Sequence, residues 1–218
     1  MPSDADLRWI HPPQQVRSQA TLTRILLAAE ELVAEKGFED SSVSEIVQRA
    51  GSSVGAFYSR FEDKQALLHA LSNRFVEQAM ATADAALDPV RWEDASIPQI
   101  LRAVIRFLVT IYRQQRGIIR AFVIRNHADA EFRARQDRLT HYVDERVCEL
   151  LLARTDEILH PNPELAIHFG LILVFSALQD VMLFGELRSR GLAFSDEEFA
   201  TELTRAYLAY LGIEAPSE

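Results

Sequence analysis

Ile46-Val47-Gln48-Arg49-Ala50-Gly51-Ser52-Ser53-Val54-Gly55-Ala56-Phe57-Tyr58-Ser59-Arg60-Phe61 is the stretch whose reading decides the fold. A short amphipathic helix beginning near Ser44 stops at Gly51. Ser52-Ser53 then open a second short helix that ends near Phe61. The stretch holds Arg49 and Arg60 and no acid, although the chain carries a net charge of −9. Two short helices joined at a glycine, the second neutral to basic, form the pattern of a helix-turn-helix whose second helix enters a DNA major groove.

The elements around this stretch support the same reading. Leu22, Ile25, Leu26, Ala29, Leu32 and Val33 recur at helical spacing and predict a helix over 18–36, closed by Gly37. Ser42 (or Ser41) precedes Val43-Ser44-Glu45, a capping-box arrangement in which Glu45 answers the cap. Ser53 is the expected N-cap of the third helix. A fourth helix from 63 to about 86 links the head to the rest of the chain, with Glu62 and Asp63 expected in its first turn. Residues 1–15 carry prolines and glutamines without a period and read as a disordered tail, in which Arg8, with Arg17 just beyond it, could form a minor-groove arm.

Beyond the break at 88–94, amphipathic or apolar segments predict helices over 97–113, 117–126, 130–154, 164–184 and 196–211, with a loop around Gly191. No segment reads as a strand. The fold class is therefore all-α: a three-helix helix-turn-helix domain over 16–71 and a helical bundle over 72–218, about nine helices in all. The 164–184 segment is apolar nearly all round. With 196–211 it is expected to form a four-helix homodimer interface, with Leu171 and Leu178 facing the partner copy.

Composition narrows the function. The first 75 residues hold 8 basic and 10 acidic groups, and the remainder 15 and 22 (23 and 32 in total), so neither part is a general polyanion binder. Phosphate contacts must then be few and local. Cys148 is the single cysteine, which excludes an intrachain disulfide and a cysteine metal cluster. No apolar run is expected to reach bilayer-spanning length, and the N-terminus lacks a signal-peptide h-region; the reading is a cytoplasmic protein without membrane contact. The six histidines form no convincing ligand cluster, so neither metal nor other cofactor is expected.

Residues 18–71 resemble the DNA-binding domain of the TetR family of bacterial transcriptional regulators. The resemblance rests on Ala34-Glu35-Lys36-Gly37-Phe38, Ser42-Val43-Ser44-Glu45-Ile46, Ala50-Gly51, Gly55-Ala56-Phe57-Tyr58, Phe61, Lys64 and Leu67-Leu68. It departs at Ser52, usually valine in the family, and at Val54, often basic or proline. The resemblance implies a palindromic double-stranded operator, a small-molecule effector bound among the C-terminal helices, and a homodimer. It points to a repressor released by its effector; an activator or a partner-controlled regulator is the alternative.

Within the head, Phe57 and Phe61 are expected to face the core, leaving Ser53, Val54, Gly55 and Tyr58 outward. Val54 suits a thymine methyl and Ser53 a phosphate or base. Gly55 would let the backbone approach DNA, and Tyr58, partly by the family's habit, would reach phosphate or sugar. Ser42 can touch phosphate as well as cap its helix. Lys64 opposes the dipole at the start of the fourth helix, and a phosphate is the expected reason for it. Effector candidates are Phe107, Tyr112, Phe122, His168, Phe169 and Gln179. A remote alternative comes from Gly51-Ser52-Ser53-Val54-Gly55, which fits the G-x-S-x-G nucleophile elbow of serine hydrolases, with Asp129 and His141 following in workable order. The elbow needs a strand before it, and the preceding residues read as helix, so the chain is not read as an enzyme.

Overall fold

The computed structural model describes residues 16–185, 188–189 and 192–214. Arg8 and the Arg17 side chain, expected as an arm, lie outside what is described. Among the described residues there are nine α-helices: α1 Val16–Lys36, α2 Val43–Arg49, α3 Val54–Tyr58, α4 Lys64–Ala86, α5 Ile97–Gln114, α6 Arg116–Asn126, α7 Ala130–Leu152, α8 Pro163–Ala177 and α9 Asp196–Leu211. Packing divides the chain into two units. One runs through Gln78 and takes in Gly117–Asp137; the other comprises Ala79–Arg116 and Arg138–Glu218.

In the head unit, Leu22, Ile25, Ala29, Leu32 and Val33 of α1 are buried, as the helical period requires. They share a core with Phe38, Ile46, Val47, Phe57, Phe61, Leu67 and Leu71. Gly37 ends α1 at φ +88°, a left-handed conformation open to glycine. Asp63 caps α4 from outside the helix, its Oδ1 accepting from the Ala66 amide at 2.7 Å; the acids expected in the first turn instead precede it. Gly117 of α6 lies so close to the Val33 carbonyl of α1 that a Cβ would collide with backbone. A buried polar cluster joins α4 to the start of α7. Arg135 Nη2 donates to His69 Nδ1 at 2.5 Å, and His69 Nε2 faces Asp129 Oδ2 at 3.2 Å. The His69 ring lies tilted against Phe132, ring centres 4.4 Å apart.

In the second unit, α5 packs on α9 and α9 on α8. Ile97, Ile100, Leu101, Val104 and Ile105 of α5 are buried, as are Tyr207, Leu208 and Leu211 of α9. Arg106 pairs with Glu197 at 3.1 Å and Arg113 with Asp196, so the arginine flank of α5 clasps the start of α9.

Three expectations are corrected here. The helix from 164 does not run regularly to Phe184: it continues from Leu178 to Phe184 as a π-helix. The loop around Gly191 contains a two-residue antiparallel hairpin, β1 Arg188–Ser189 with β2 Leu192–Ala193, too short to carry a period. Pro163–Val181, 19 residues of mean hydropathy 1.5, is long and apolar enough to cross a membrane by length and composition alone. It passes that test because one side of α8 buries against its bundle while Leu165, Phe169, Ile172 and Leu173 stay exposed on the other.

Candidate nucleic-acid interface

The head builds a small, rigid presenting surface from its caps upward. Ser42 and Glu45 form the capping box in both directions: the Glu45 amide donates to Ser42 Oγ at 3.3 Å, and the Ser42 amide to Glu45 Oε2 at 3.0 Å. Lys36 closes the other Glu45 oxygen at 2.6 Å. These hydrogen bonds hold the Glu45 carboxyl at about 2, below its ordinary value, with the Lys36 bond the largest cause. Gly51 turns the chain at φ +56°, and Ser53 begins α3 with its Oγ accepting from the Ala56 amide at 3.1 Å.

α3 is only five residues long, so its direction comes from packing rather than propensity. Phe57 and Phe61 are fully buried with ring centres 5.2 Å apart, and they fix the helix to the core. That leaves Ser53, Val54, Gly55 and Tyr58 exposed together, Tyr58 at 53%. A Cβ at Gly55 would meet nothing nearer than Ser53 Oγ at 4.0 Å. Packing within the chain therefore does not demand glycine there, and the site is left bare on its outer side.

Several of the head's described cations are paired internally. Arg49 forms a bidentate pair with Glu35 at 2.6 and 2.8 Å, which lowers the Glu35 carboxyl. Arg60 Nη1 donates to the Ala56 carbonyl at 2.7 Å and ties the end of α3. Arg125 of α6 pairs with Glu39 at 2.7 Å. Lys64, expected at a phosphate, has contacts within the chain. Its Nζ donates to the carbonyls of Phe38 and Glu39 at 3.0 and 3.2 Å and lies 4.4 Å from the centre of the Phe38 ring. Closing the loop after α1 explains a lysine at the start of α4 without a phosphate.

The hydrolase alternative finds no support. Ser53 is a helix cap, and the residues before Gly51 are helical. Asp129 gives its carboxylate to His69 and to the amides of Glu131 and Phe132, while His141 faces Glu145 at 3.3 Å.

The six effector candidates have different surroundings within their own units. Phe122 lies in the head unit against Phe75 and Phe132, at 5.5 and 6.0 Å. Phe107 and Phe169 are exposed at 40% and 41%. Tyr112 and Gln179 do meet: the buried Tyr112 hydroxyl, pushed up to about 12 by desolvation, hydrogen-bonds the Gln179 side chain in the π-helical turn. His168 instead joins Asp144 and Cys148. Sequence reasoning missed that cluster, although Asp144 and Cys148 stand one helical turn apart on α7.

Residues 25–71 match the family described as bacterial regulatory proteins, tetR family. An uncharacterised HTH-type transcriptional regulator, YvdT of Bacillus subtilis, is 39% identical over 57 residues, 26% of this chain and 29% of that protein. The HTH-type transcriptional regulator UidR of Escherichia coli is 32% identical over 87 residues, 40% of this chain and 44% of UidR. The chain thus matches less than half the length of these curated relatives. Solved structures share the fold over most of the chain. A putative TetR-family regulator of Mesorhizobium loti superposes with TM-score 0.68 at 19% identity, covering 89% of this chain and 98% of its own. GusR of Salmonella enterica does so at 0.61 and 18%, covering 88% and 95%. RolR, solved with resorcinol, does so at 0.54 and 22%, covering 91% of each.

Proposed function

We propose that this chain, whose residues 25–71 belong to the tetR family of bacterial regulatory proteins, is a sequence-specific DNA-binding transcriptional regulator, a cytoplasmic homodimeric repressor released by a small-molecule effector. One observation carries the reading. Ser53, Val54, Gly55 and Tyr58 stand exposed on a five-residue helix whose other side is locked by Phe57 and Phe61. No internal packing role accounts for a bare glycine between an exposed valine and an exposed tyrosine.

The chemistry of contact follows from these groups. Val54 offers an apolar contact to a thymine methyl, and Gly55 lets the α3 backbone approach base edges. Tyr58, Ser53 and Ser42 place hydroxyls for phosphate or sugar and so set register rather than sequence. Lys64 contributes by holding the loop that precedes α2, and any phosphate contact it makes is shared with two carbonyls. The effector would bind in the second unit, where the buried Tyr112 pairs with the half-buried Gln179, and would weaken operator binding through the spacing of two heads in a dimer.

The test is selection of bound duplexes from a random pool by the purified full chain, followed by competition titrations. The expected outcome is a palindromic site, with Val54→Ala changing the preferred base at one position of each half-site. Absence of any sequence preference at moderate salt would overturn the reading.

A further inference from the structure

Arg60 is one of two cations in the stretch that carries α3, yet its side chain is turned inward and only 9% of the residue is exposed. Its Nη1 donates to the Ala56 carbonyl at 2.7 Å and to Ser59 Oγ at 3.0 Å. Ser59 Oγ donates to the same Ala56 carbonyl at 3.0 Å. The backbone leaves that carbonyl over. The Arg60 amide, which would close a regular helical turn on it, donates instead to the Phe57 carbonyl at 2.9 Å. The last carbonyls of a helix have no partner within the helix, and here two side chains take this one.

Ala56 is held from the other end as well. Its amide donates to Ser53 Oγ at 3.1 Å. Both polar groups of one peptide residue are thus fixed by side chains, one set from each end of α3. A five-residue helix gains little from its own ladder, because nucleation costs more than a single turn returns. Phe57 ties one side of α3 to the core, and the bonds at Ala56 restrain its rotation about that tie. Gly55 precedes Ala56 and has the freest backbone of any residue, so the surface at Val54 and Gly55 depends on how Ala56 is held. The charge of Arg60 also lies at the C-terminal end of the helix, where the dipole favours a cation. A phosphate anchor needs its guanidinium outside, and this one is turned in.

We propose that Arg60 is the positioning residue of α3: it sets base discrimination through Ala56 and makes no phosphate contact. This role rests on the DNA-binding reading of α3.

The experiment compares the full chain with Arg60→Met and Arg60→Lys on duplexes selected by the wild type and on scrambled duplexes, across a salt series. Arg60→Met removes both Nη1 hydrogen bonds and keeps an unbranched stem. It should lower the preference for the selected site at least about tenfold, a hydrogen bond from a charged group being lost, and leave scrambled-DNA binding and the salt slope unchanged. Arg60→Lys, still able to donate to the Ala56 carbonyl, should recover most of the preference. A phosphate anchor gives the opposite pattern: Arg60→Met would weaken selected and scrambled duplexes by similar factors and reduce the salt slope by about 0.9 per chain. That pattern, or an unchanged preference in Arg60→Met, would overturn the proposal. Nitrogen-15 NMR of the wild type supplies a readout that needs no variant. The Arg60 Nη signals should keep their free-protein frequencies when the selected duplex is added, and a large shift would count against the role. A wild type that selects no site defeats the reading of α3 itself. A wild type that selects one, with Arg60→Met selecting it equally well, defeats only the role of Arg60.

Discussion

Ile172→Asp and Leu171→Asp, neighbours on α8, should fail in different ways, and the contrast tests the proposed dimer. Leu165, Phe169, Ile172 and Leu173 are 55%, 41%, 59% and 47% exposed and share one face at helical spacing. The expectation that Leu171 and Leu178 face a partner is reversed, since they are 3% and 0% exposed within the chain. Complete burial of such a side chain contributes about 1.5–3 kcal/mol, so the half still exposed holds about 1 kcal/mol each. Four such side chains from each of two copies would supply about 8 kcal/mol of gross interface burial. Ile172→Asp removes about 2 kcal/mol of it and places two carboxylates in an apolar seam at several kcal/mol more. The dissociation constant should rise at least about 1000-fold, at 1.4 kcal/mol per factor of ten. Leu171→Asp instead loses about 2–5 kcal/mol of core packing and buries an unpaired charge inside one copy, enough to threaten a fold of about 5–15 kcal/mol. Sedimentation velocity with thermal melts separates them: monomers with near-native secondary structure for Ile172→Asp, loss of cooperative melting for Leu171→Asp. A native dimer mass for Ile172→Asp at micromolar concentration would refute the assignment of this face.

Other outcomes follow from specific contacts. Gly170→Ala would drive a Cβ into the Tyr207 ring, whose hydroxyl donates to the Ile167 carbonyl at 2.5 Å. Overpacking of about 1–3 kcal/mol and a strained buried hydrogen bond of about 1–3, less about 1 gained in helix propensity, leave a loss of about 3 kcal/mol, to be read by urea unfolding. Glu45 is depressed to about 2, so its contribution to the fold is full above its ordinary 4.5 and is lost as pH falls towards 2. Side-chain NMR should find its midpoint near 2 and see Lys36→Met move it upward; a wild-type midpoint near 4.5 would sink the capping argument. Tyr112 is raised, so its contribution holds below its ordinary value of 10 and fades as pH climbs towards about 12, which ultraviolet titration of wild type against Tyr112→Phe would detect.

The head was legible because its signals are local. Ser42 with Glu45, Gly51 and Ser53 each dictate the conformation of two or three neighbours, and each does in the structure what its residue type requires. Long-range partners were not legible. Nothing near Lys64 in sequence announces that its nitrogen reaches the carbonyls of Phe38 and Glu39, 26 and 25 residues away. The direction of α8 was misjudged for a related reason. A helix apolar on every side carries no moment, so its pattern cannot say which side meets its own chain. The π-helical turn has no sequence signature of its own, and it sets where Gln179 points.

The internal pairing of the head's cations bears on how an acidic chain could hold DNA. Arg49, Lys36 and Arg125 answer Glu35, Glu45 and Glu39, while Arg60 and Lys64 answer backbone carbonyls. Such charges tie the frame that carries α3, and on the proposed reading they would release few counterions when a duplex arrives. Each neutralised phosphate contributes about 0.9 to the salt slope, so affinity built from hydroxyls and close backbone approach loses less on raising salt than affinity built from a basic patch. Phe57 and Phe61 anchor the helix in the core, so on the proposed reading a duplex would bring its groove to Val54 and Gly55. On the proposed reading, discrimination would come from shape and the thymine methyl rather than from long, adaptable side chains.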